Sequence, residues 1–157
     1  MLDSLALTLP DLAATKHFAT ALSRFVAPGR IFSLSGPLGA GKSELARAMI
    51  EASCGPQDDI PSPTFTLVQP YQATAGFEVW HMDLYRLETA DEALALGVEE
   101  AFFDCCCLIE WPDKITQLLP PDQVIVDLAM GPEEGSRVAA LAAAPAILTA
   151  FKTDFFA

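Results

Sequence analysis

The stretch IFSLSGPLGAGKS, residues 31–43, decides how this chain is read. Ile31 to Ser35 is a short, mostly apolar run with the composition of a buried strand. It leads directly into Gly36-Pro37-Leu38-Gly39-Ala40-Gly41-Lys42-Ser43, which matches G-x-x-x-x-G-K-[ST] at every fixed position. From Lys42 to Cys54 the residues Leu45, Met49 and Ala52 fall on one side, and Gly55-Pro56 ends the pattern, so a helix leaves the loop. The composition of the loop has a chemical reason. Gly36, Gly39 and Gly41 carry no Cβ, so the backbone from Gly36 through Leu38 and Ala40 to Lys42 can curl its N–H groups inward around phosphate oxygens. The helix N-terminus adds partial positive charge at the same place. A lysine at position 42 reaches the β- and γ-phosphates, and a hydroxyl at position 43 is a ligand for Mg²⁺.

Outward from this stretch, the chain alternates helical and extended patterns. Leu12, Phe18, Leu22, Phe25 and Val26 have the spacing of an amphipathic helix entered at Pro10-Asp11 and closed by Pro28-Gly29. Two strand-like runs, Thr64 to Tyr71 and Phe77 to Tyr85, flank Ala73-Thr74-Ala75-Gly76 and read as a hairpin. Thr89 with Glu92 is a capping box that opens a helix stopping near Gly97. Cys105 to Ile109 reads as a buried strand, and Asp113 to Leu119 as a short helix stopped by Pro120-Pro121. Val124 to Met130 and Arg137 to Leu141 read as strands around a Gly131-Pro132 turn, with a last helix around Ile147 to Phe151. Helices between buried strands indicate a three-layer α/β domain of the P-loop NTPase type, with a mixed sheet and an inserted β-hairpin. At 157 residues the chain suits one domain, 1–157.

A P-loop site also needs a carboxylate at the end of a neighbouring strand, to hold a metal or order an attacking water. Asp83, after Val79-Trp80-His81-Met82, and Glu110, after Cys105-Cys106-Cys107-Leu108-Ile109, both qualify. Glu110 follows the purer apolar run. Either acid is also what an ordinary solvated strand end looks like. Ser62-Pro63-Thr64-Phe65-Thr66 has the form of a γ-phosphate-sensing switch and equally that of a proline-set turn. His81 lies within an alternating strand pattern and reads as a packing histidine rather than a general base. Trp111 reads as a cover for the nucleotide or as core.

Composition removes several classes. The chain carries 21 Asp+Glu against 9 Lys+Arg, a formal net charge of -12, which argues against direct binding to a nucleic-acid backbone or an anionic membrane. The longest mostly apolar stretch, Val138 to Phe151, is broken by Pro145 and is shorter than a membrane span. Met1-Leu2-Asp3-Ser4 has no basic leader character, so a cytoplasmic protein is expected. There is no C-x-x-C, and the Cys105-Cys106-Cys107 run alternates across a strand, so the thiols read as buried hydrophobes of a reducing compartment. A GTPase commonly reads guanine with N-K-x-D, and this chain contains no asparagine. A small P-loop metabolite kinase would gather arginines over the transferred phosphoryl group, whereas Arg24, Arg30, Arg47, Arg86 and Arg137 are scattered. A nucleotide-sensing adaptor without useful hydrolysis stays open on these residues alone.

The order of motifs is a resemblance in itself. An N-terminal helix is followed by Leu38 to Ser43, then Ser62 to Val68 with Tyr71, then His81 to Leu87 (H-x-D-L-Y-R-L), then Ile109 to Pro112 (I-E-W-P). Together these resemble the bacterial TsaE family, also called YjeE, the ATPase of tRNA threonylcarbamoyladenosine biosynthesis. The resemblance runs from about Pro10 to Pro112. It implies ATP bound by Leu38 to Ser43, Mg²⁺ bound by Ser43 and Glu110, an essential acidic role for Asp83, and a tryptophan, Trp111, near the nucleotide. Ser43 stands where the family commonly has threonine, which keeps the hydroxyl. Arg137 and the Pro10 to Leu12 segment are further candidates for contacts with the nucleotide. The resemblance also implies partners: the family acts with the TsaB–TsaD complex, which modifies adenosine 37 of tRNA, so the chain is expected to hydrolyse ATP slowly alone.

Overall fold

The computed structural model describes residues 1–157. One seven-stranded sheet carries the architecture, with strands β1 (Asp3–Leu9), β2 (Ile31–Ser35), β3 (Val68–Gln72), β4 (Glu78–Asp83), β5 (Cys106–Glu110), β6 (Val124–Met130) and β7 (Arg137–Ala143). Their order in the sheet is β1-β7-β6-β2-β5-β4-β3. The centre, β6-β2-β5-β4, is parallel, and both flanks are antiparallel. The helices are α1 (Leu12–Ser23), α2 (Lys42–Cys54), α3 (Ala90–Ala95), α4 (Val98–Asp104) and α5 (Pro145–Phe155), with a 3₁₀ helix over Pro112–Leu118. This is a mixed-sheet α/β architecture of the P-loop NTPase-like type, and the β3–β4 hairpin is the inserted edge.

Strand periodicity divides the core. Successive side chains point to opposite faces, so Phe32, Leu34, Val79, Cys106, Leu108, Val124 and Val126 pack with Phe18, Leu22, Leu45, Met49, Ile50 and Phe151 on the α1–α2–α5 side. Ile31, Met82, Cys107 and Ile109 pack with Leu84, Leu87, Ala93, Val98, Ala101 and Ile115 on the other. Three layers therefore exist across the parallel centre. On the β6-β7-β1 flank the second face stays open, with Ser4, Ala6, Thr8, Asp127, Ala129 and Ala140 exposed. The same alternation fixes the site. His81, Asp83 and Glu110 share parity with Val79, Cys106 and Leu108, so all three face the side that carries α2.

Local signals set the element ends. Asp11 caps α1 by accepting from the Ala14 amide at 2.8 Å. The Glu92 carboxylate accepts from the Thr89 amide at 3.1 Å, the return half of the capping box expected there. The strand expected from Thr64 begins only at Val68. Residues before it turn back on themselves, with the Leu67 amide on the Pro63 carbonyl at 2.7 Å. Leu67 takes a left-handed φ of 65°, which ends extended pairing, and its carbonyl accepts from the Asp83 amide at 3.0 Å. Two elements go beyond the sequence expectations, β1 and α4. β1 has a readable signal: Leu5, Leu7 and Leu9 alternate with Ser4, Ala6 and Thr8.

The four cysteines are free thiols, and the Cys105-Cys106-Cys107 run is buried. Burial pushes the Cys106 thiol up to about 12 and raises Cys107 as well. At pH 8 that leaves about a thousandth of the thiolate an ordinary cysteine would present. A native-state titration with a thiol reagent should therefore leave Cys106 and Cys107 unmodified, and all four should react after denaturation. Rapid native modification of Cys106, located by peptide mapping, would contradict the placement of β5.

Candidate nucleotide site

The site lies beyond the carboxyl ends of the parallel strands, where ligands bind in open α/β sheets. The loop from Gly36 to Gly41 is shaped by backbone demands. Gly36 has φ 143°, and a Cβ there would meet the Leu128 carbonyl oxygen at 2.4 Å. Gly41 opens α2 with φ 102°. Within the loop the Ala40 amide donates to the Pro37 carbonyl at 3.1 Å. The amides of Gly39, Gly41, Lys42 and Ser43 have no protein acceptor. These unmatched donors at a helix N-terminus form an anion cradle. Arg137, from β7, braces the outside: its Nε donates to the Ala40 carbonyl at 3.0 Å and its Nη2 to the Gly39 carbonyl at 3.2 Å. Arg137 thus acts on the loop from behind.

Lys42 is buried and folds back over the loop, donating to the carbonyls of Gly36 at 2.5 Å and Pro37 at 3.0 Å. Its ammonium also lies 4.2 Å from the centre of the Trp111 ring, a cation–π contact. Burial lowers its pKa from the ordinary lysine value, and the Glu110 and Asp83 carboxylates partly offset this. Trp111 takes a left-handed backbone, φ 58° and ψ 53°. Such a conformation costs a tryptophan about 1–2 kcal/mol. It directs the indole against Lys42 and Tyr85, whose ring centre is 5.0 Å away. Trp111 lines the cleft and also packs against the core cluster around Met82 and Ile109.

The two acids end adjacent strands and are direct register partners, Asp83 opposite Glu110. Both are buried. They divide their contacts. The Ser43 hydroxyl donates to Glu110, with oxygen separations of 2.9 and 3.0 Å to the two carboxylate atoms. Asp83 accepts from the Thr64 hydroxyl at 3.0 Å and from the Tyr85 amide at 3.0 Å, and so holds the 62–67 segment and the chain after β4. His81 is not a simple packing residue: its Nε2 lies 2.6 Å from Glu110 Oε2. Lys42, Ser43, Thr64, Asp83, Glu110 and Trp111 line one cleft of about 230 Å³, with Leu38 and Gly39 at its rim and Arg47 as its single arginine. Behind the loop, Leu12, Thr15, Ala40, Gly41, Leu128 and Arg137 line a second, smaller cavity.

Serine hydroxyl and carboxylate are hard oxygen donors, the chemistry that Mg²⁺ selects. No group of three or more His, Cys, Asp or Glu forms a closed metal cage. A donor pair without a cage fits Mg²⁺, which keeps several waters and uses phosphate oxygens.

The sequence model of the family described as threonylcarbamoyl adenosine biosynthesis protein TsaE matches residues 9–138. The chain belongs to the TsaE family. Similar curated relatives carry the description tRNA threonylcarbamoyladenosine biosynthesis protein TsaE. That of Rickettsia bellii is 42% identical over 116 residues, covering 74% of this chain and 80% of the relative. That of Haemophilus influenzae is 38% identical over 133 residues, covering 81% and 83%. That of Bacillus subtilis is 36% identical over 111 residues, covering 70% and 68%. The crystal structure of Bacillus subtilis YdiB superposes with a TM-score of 0.75 at 23% identity, covering 99% of this chain and 96% of that one, and shares the fold. The family assigns the chain a role in tRNA threonylcarbamoyladenosine biosynthesis. No helix is long and apolar enough to cross a membrane.

The loop glycines should differ in tolerance. Gly39, at φ 79°, has nothing within 4 Å of a built Cβ, so Gly39→Ala meets only the left-handed backbone cost, about 1 kcal/mol. Gly36→Ala meets the Leu128 carbonyl as well and should cost about 3 kcal/mol or more. Urea unfolding of the two variants checks the order, and equal stabilities would refute the loop geometry.

Proposed function

We propose that the protein is a Mg²⁺-dependent ATPase, slow alone, that serves modification of tRNA position 37 by acting on the TsaB–TsaD complex. The observation that carries this reading is the convergence of Lys42, Ser43, Asp83 and Glu110 on the unpaired amides at the start of α2. Bound Mg²⁺–ATP supplies the phosphoanhydride and, through the metal, neutralisation of phosphate charge. Lys42 exchanges its loop carbonyls for phosphate oxygens. Ser43 and Glu110 would hold the metal or its waters. Asp83 orients water on the same side and ties the Thr64 segment to that task. The Pro10 to Leu12 segment would wall the base, and Leu12 lines the small cavity behind the loop.

Electrostatics support the metal requirement. The cleft is lined by three acids, Glu44, Asp83 and Glu110, against two bases, Lys42 and Arg47. The carboxylates oppose the attraction of the amide cradle for a polyphosphate, and a divalent cation offsets them. Arg86, the nearest arginine in sequence to Asp83, is engaged over the Phe65 ring at 4.3 Å. Charge stabilisation from a partner therefore fits the site; a supplied arginine is worth ~10³-fold or more in rate. The net charge of -12 leaves tRNA to the partners. This reading puts the protein in the cytoplasm with its tRNA-bound complex.

Three measurements test the reading. Lys42→Ala should lower ATP turnover by about 100-fold or more while the protein stays folded. Glu110→Gln should raise the Mg²⁺ concentration needed for activity, and Asp83→Asn should depress hydrolysis more than ATP binding. ATP turnover and tRNA retention are then compared for the chain alone and with TsaB–TsaD. Partner-stimulated turnover with negligible tRNA binding by the chain alone is expected. Fast hydrolysis unchanged by partners would falsify the dependence, and nucleotide binding without turnover even with partners would leave a sensing adaptor.

A further inference from the structure

His81 stands apart from the residues already assigned to the site. It lies on β4 with no exposed surface, two residues before Asp83 on the same face and opposite Leu108. Its parity turns the ring toward Glu110, and Nε2 sits 2.6 Å from Glu110 Oε2. The other ring nitrogen, Nδ1, is buried and has no hydrogen-bond partner. A carboxylate only accepts, so the short contact requires a hydrogen on Nε2. An unpaired lone pair on Nδ1 is tolerated in an apolar setting better than an unpaired N–H. The arrangement thus selects the tautomer with its hydrogen on Nε2.

This contact has a geometric consequence for Glu110. A carboxylate end can rotate about its last bond, and a terminal sp²–sp³ torsion is broad. His81 holds Oε2 from the sheet side, and the Ser43 hydroxyl spans both oxygens from the helix side. Between them the carboxylate plane is held, and Glu110 lines the cleft. A single strand-end acid without such a partner would sample several planes, each aiming its charge differently.

We propose that His81 is the positioning residue of Glu110: its Nε2–H fixes the carboxylate plane and so sets the affinity of the site for Mg²⁺, not for the nucleotide itself. The inference rests on the nucleotide–Mg²⁺ reading above. Outer hydrogen-bond partners of metal-holding groups typically change metal affinity by about 10–100-fold when removed. His81 makes no hydrogen bond to the P-loop, its single polar contact being Glu110, so its loss leaves the amides of the phosphate cradle in place.

The test is calorimetric binding of ADP with excess chelator, then across a Mg²⁺ titration, for the wild type, His81→Leu and His81→Gln. Leucine removes the donor and keeps the apolar volume; glutamine returns an N–H near the Nε2 position. For His81→Leu we expect chelator-condition ADP affinity within about twofold of wild type and a Mg²⁺ requirement raised about tenfold or more. His81→Gln should restore most of the Mg²⁺ dependence. If His81→Leu keeps the wild-type Mg²⁺ requirement, or if both variants lose metal-free ADP binding alike, the positioning role is overturned. Independently of any variant, the ¹⁵N imidazole spectrum of the wild-type protein should show His81 with its hydrogen on Nε2; a hydrogen on Nδ1 alone overturns the inference. Absence of Mg²⁺-dependent nucleotide binding in the wild type overturns the nucleotide reading itself and this inference with it, whereas failure confined to the variants overturns only the role of His81.

Discussion

The hydrogen bond from Ser43 to Glu110 joins the first turn of α2 to the last residue of β5, and the organisation of the site depends on it. It can form only because β5 enters the sheet between β2 and β4. That order sets Leu34, next to the loop, beside Glu110, and sets Glu110 beside Asp83. Parity then decides which side chains face α2. A one-residue slip of β5 would turn Glu110 to the opposite face and bring Ile109 to the loop. The purely apolar packing of Cys106 and Leu108 on one side, and of Cys107 and Ile109 on the other, is what holds the register.

Around that bond the molecule concentrates its costs. Trp111 and Leu67 are the two non-glycine residues with left-handed backbone; Trp111 lines the cleft, and the Leu67 carbonyl accepts from the Asp83 amide. Trp111 follows Glu110 and precedes Pro112, where α-helical backbone is disfavoured. Leu67 ends the turn that brings Thr64 to Asp83. Lys42, Asp83, Glu110 and His81 are buried polar groups, and each has a partner in the cluster. Such groups are expensive to bury and favourable only when satisfied together. The arrangement is therefore a preorganised site, supported by Arg137 behind the loop and by α2 in front.

Much of this was legible in sequence, and the reasons differ by element. The loop, α2, β2 and the capping residues of α1 and α3 follow from local chemistry: glycine backbone freedom, apolar periodicity and side-chain caps. The proline-set turn read at Ser62 to Thr66 is present, but its contact was not legible: the β-prone run Thr64 to Tyr71 also satisfies strand periodicity, and Asp83, far along the chain, takes the Thr64 hydroxyl. α4 escaped notice because seven residues show little periodicity. His81 read as a packing residue because alternation reports only that a side chain is buried, and its partner Glu110 is 29 residues away.

By itself the sequence determined the glycine-rich loop between β2 and α2, the identity of the two strand-end acids and, through the order of its motifs, the TsaE family. Those features are local, and each is written in a few consecutive residues. Only the tertiary structure decided that Glu110 meets Ser43 while Asp83 meets Thr64, that Arg137 braces the loop from β7, and that His81 holds Glu110. The physical reason is the strand order: neighbours in the sheet are set by packing among segments distant in the chain, and no local pattern encodes which carboxylate will end beside which hydroxyl.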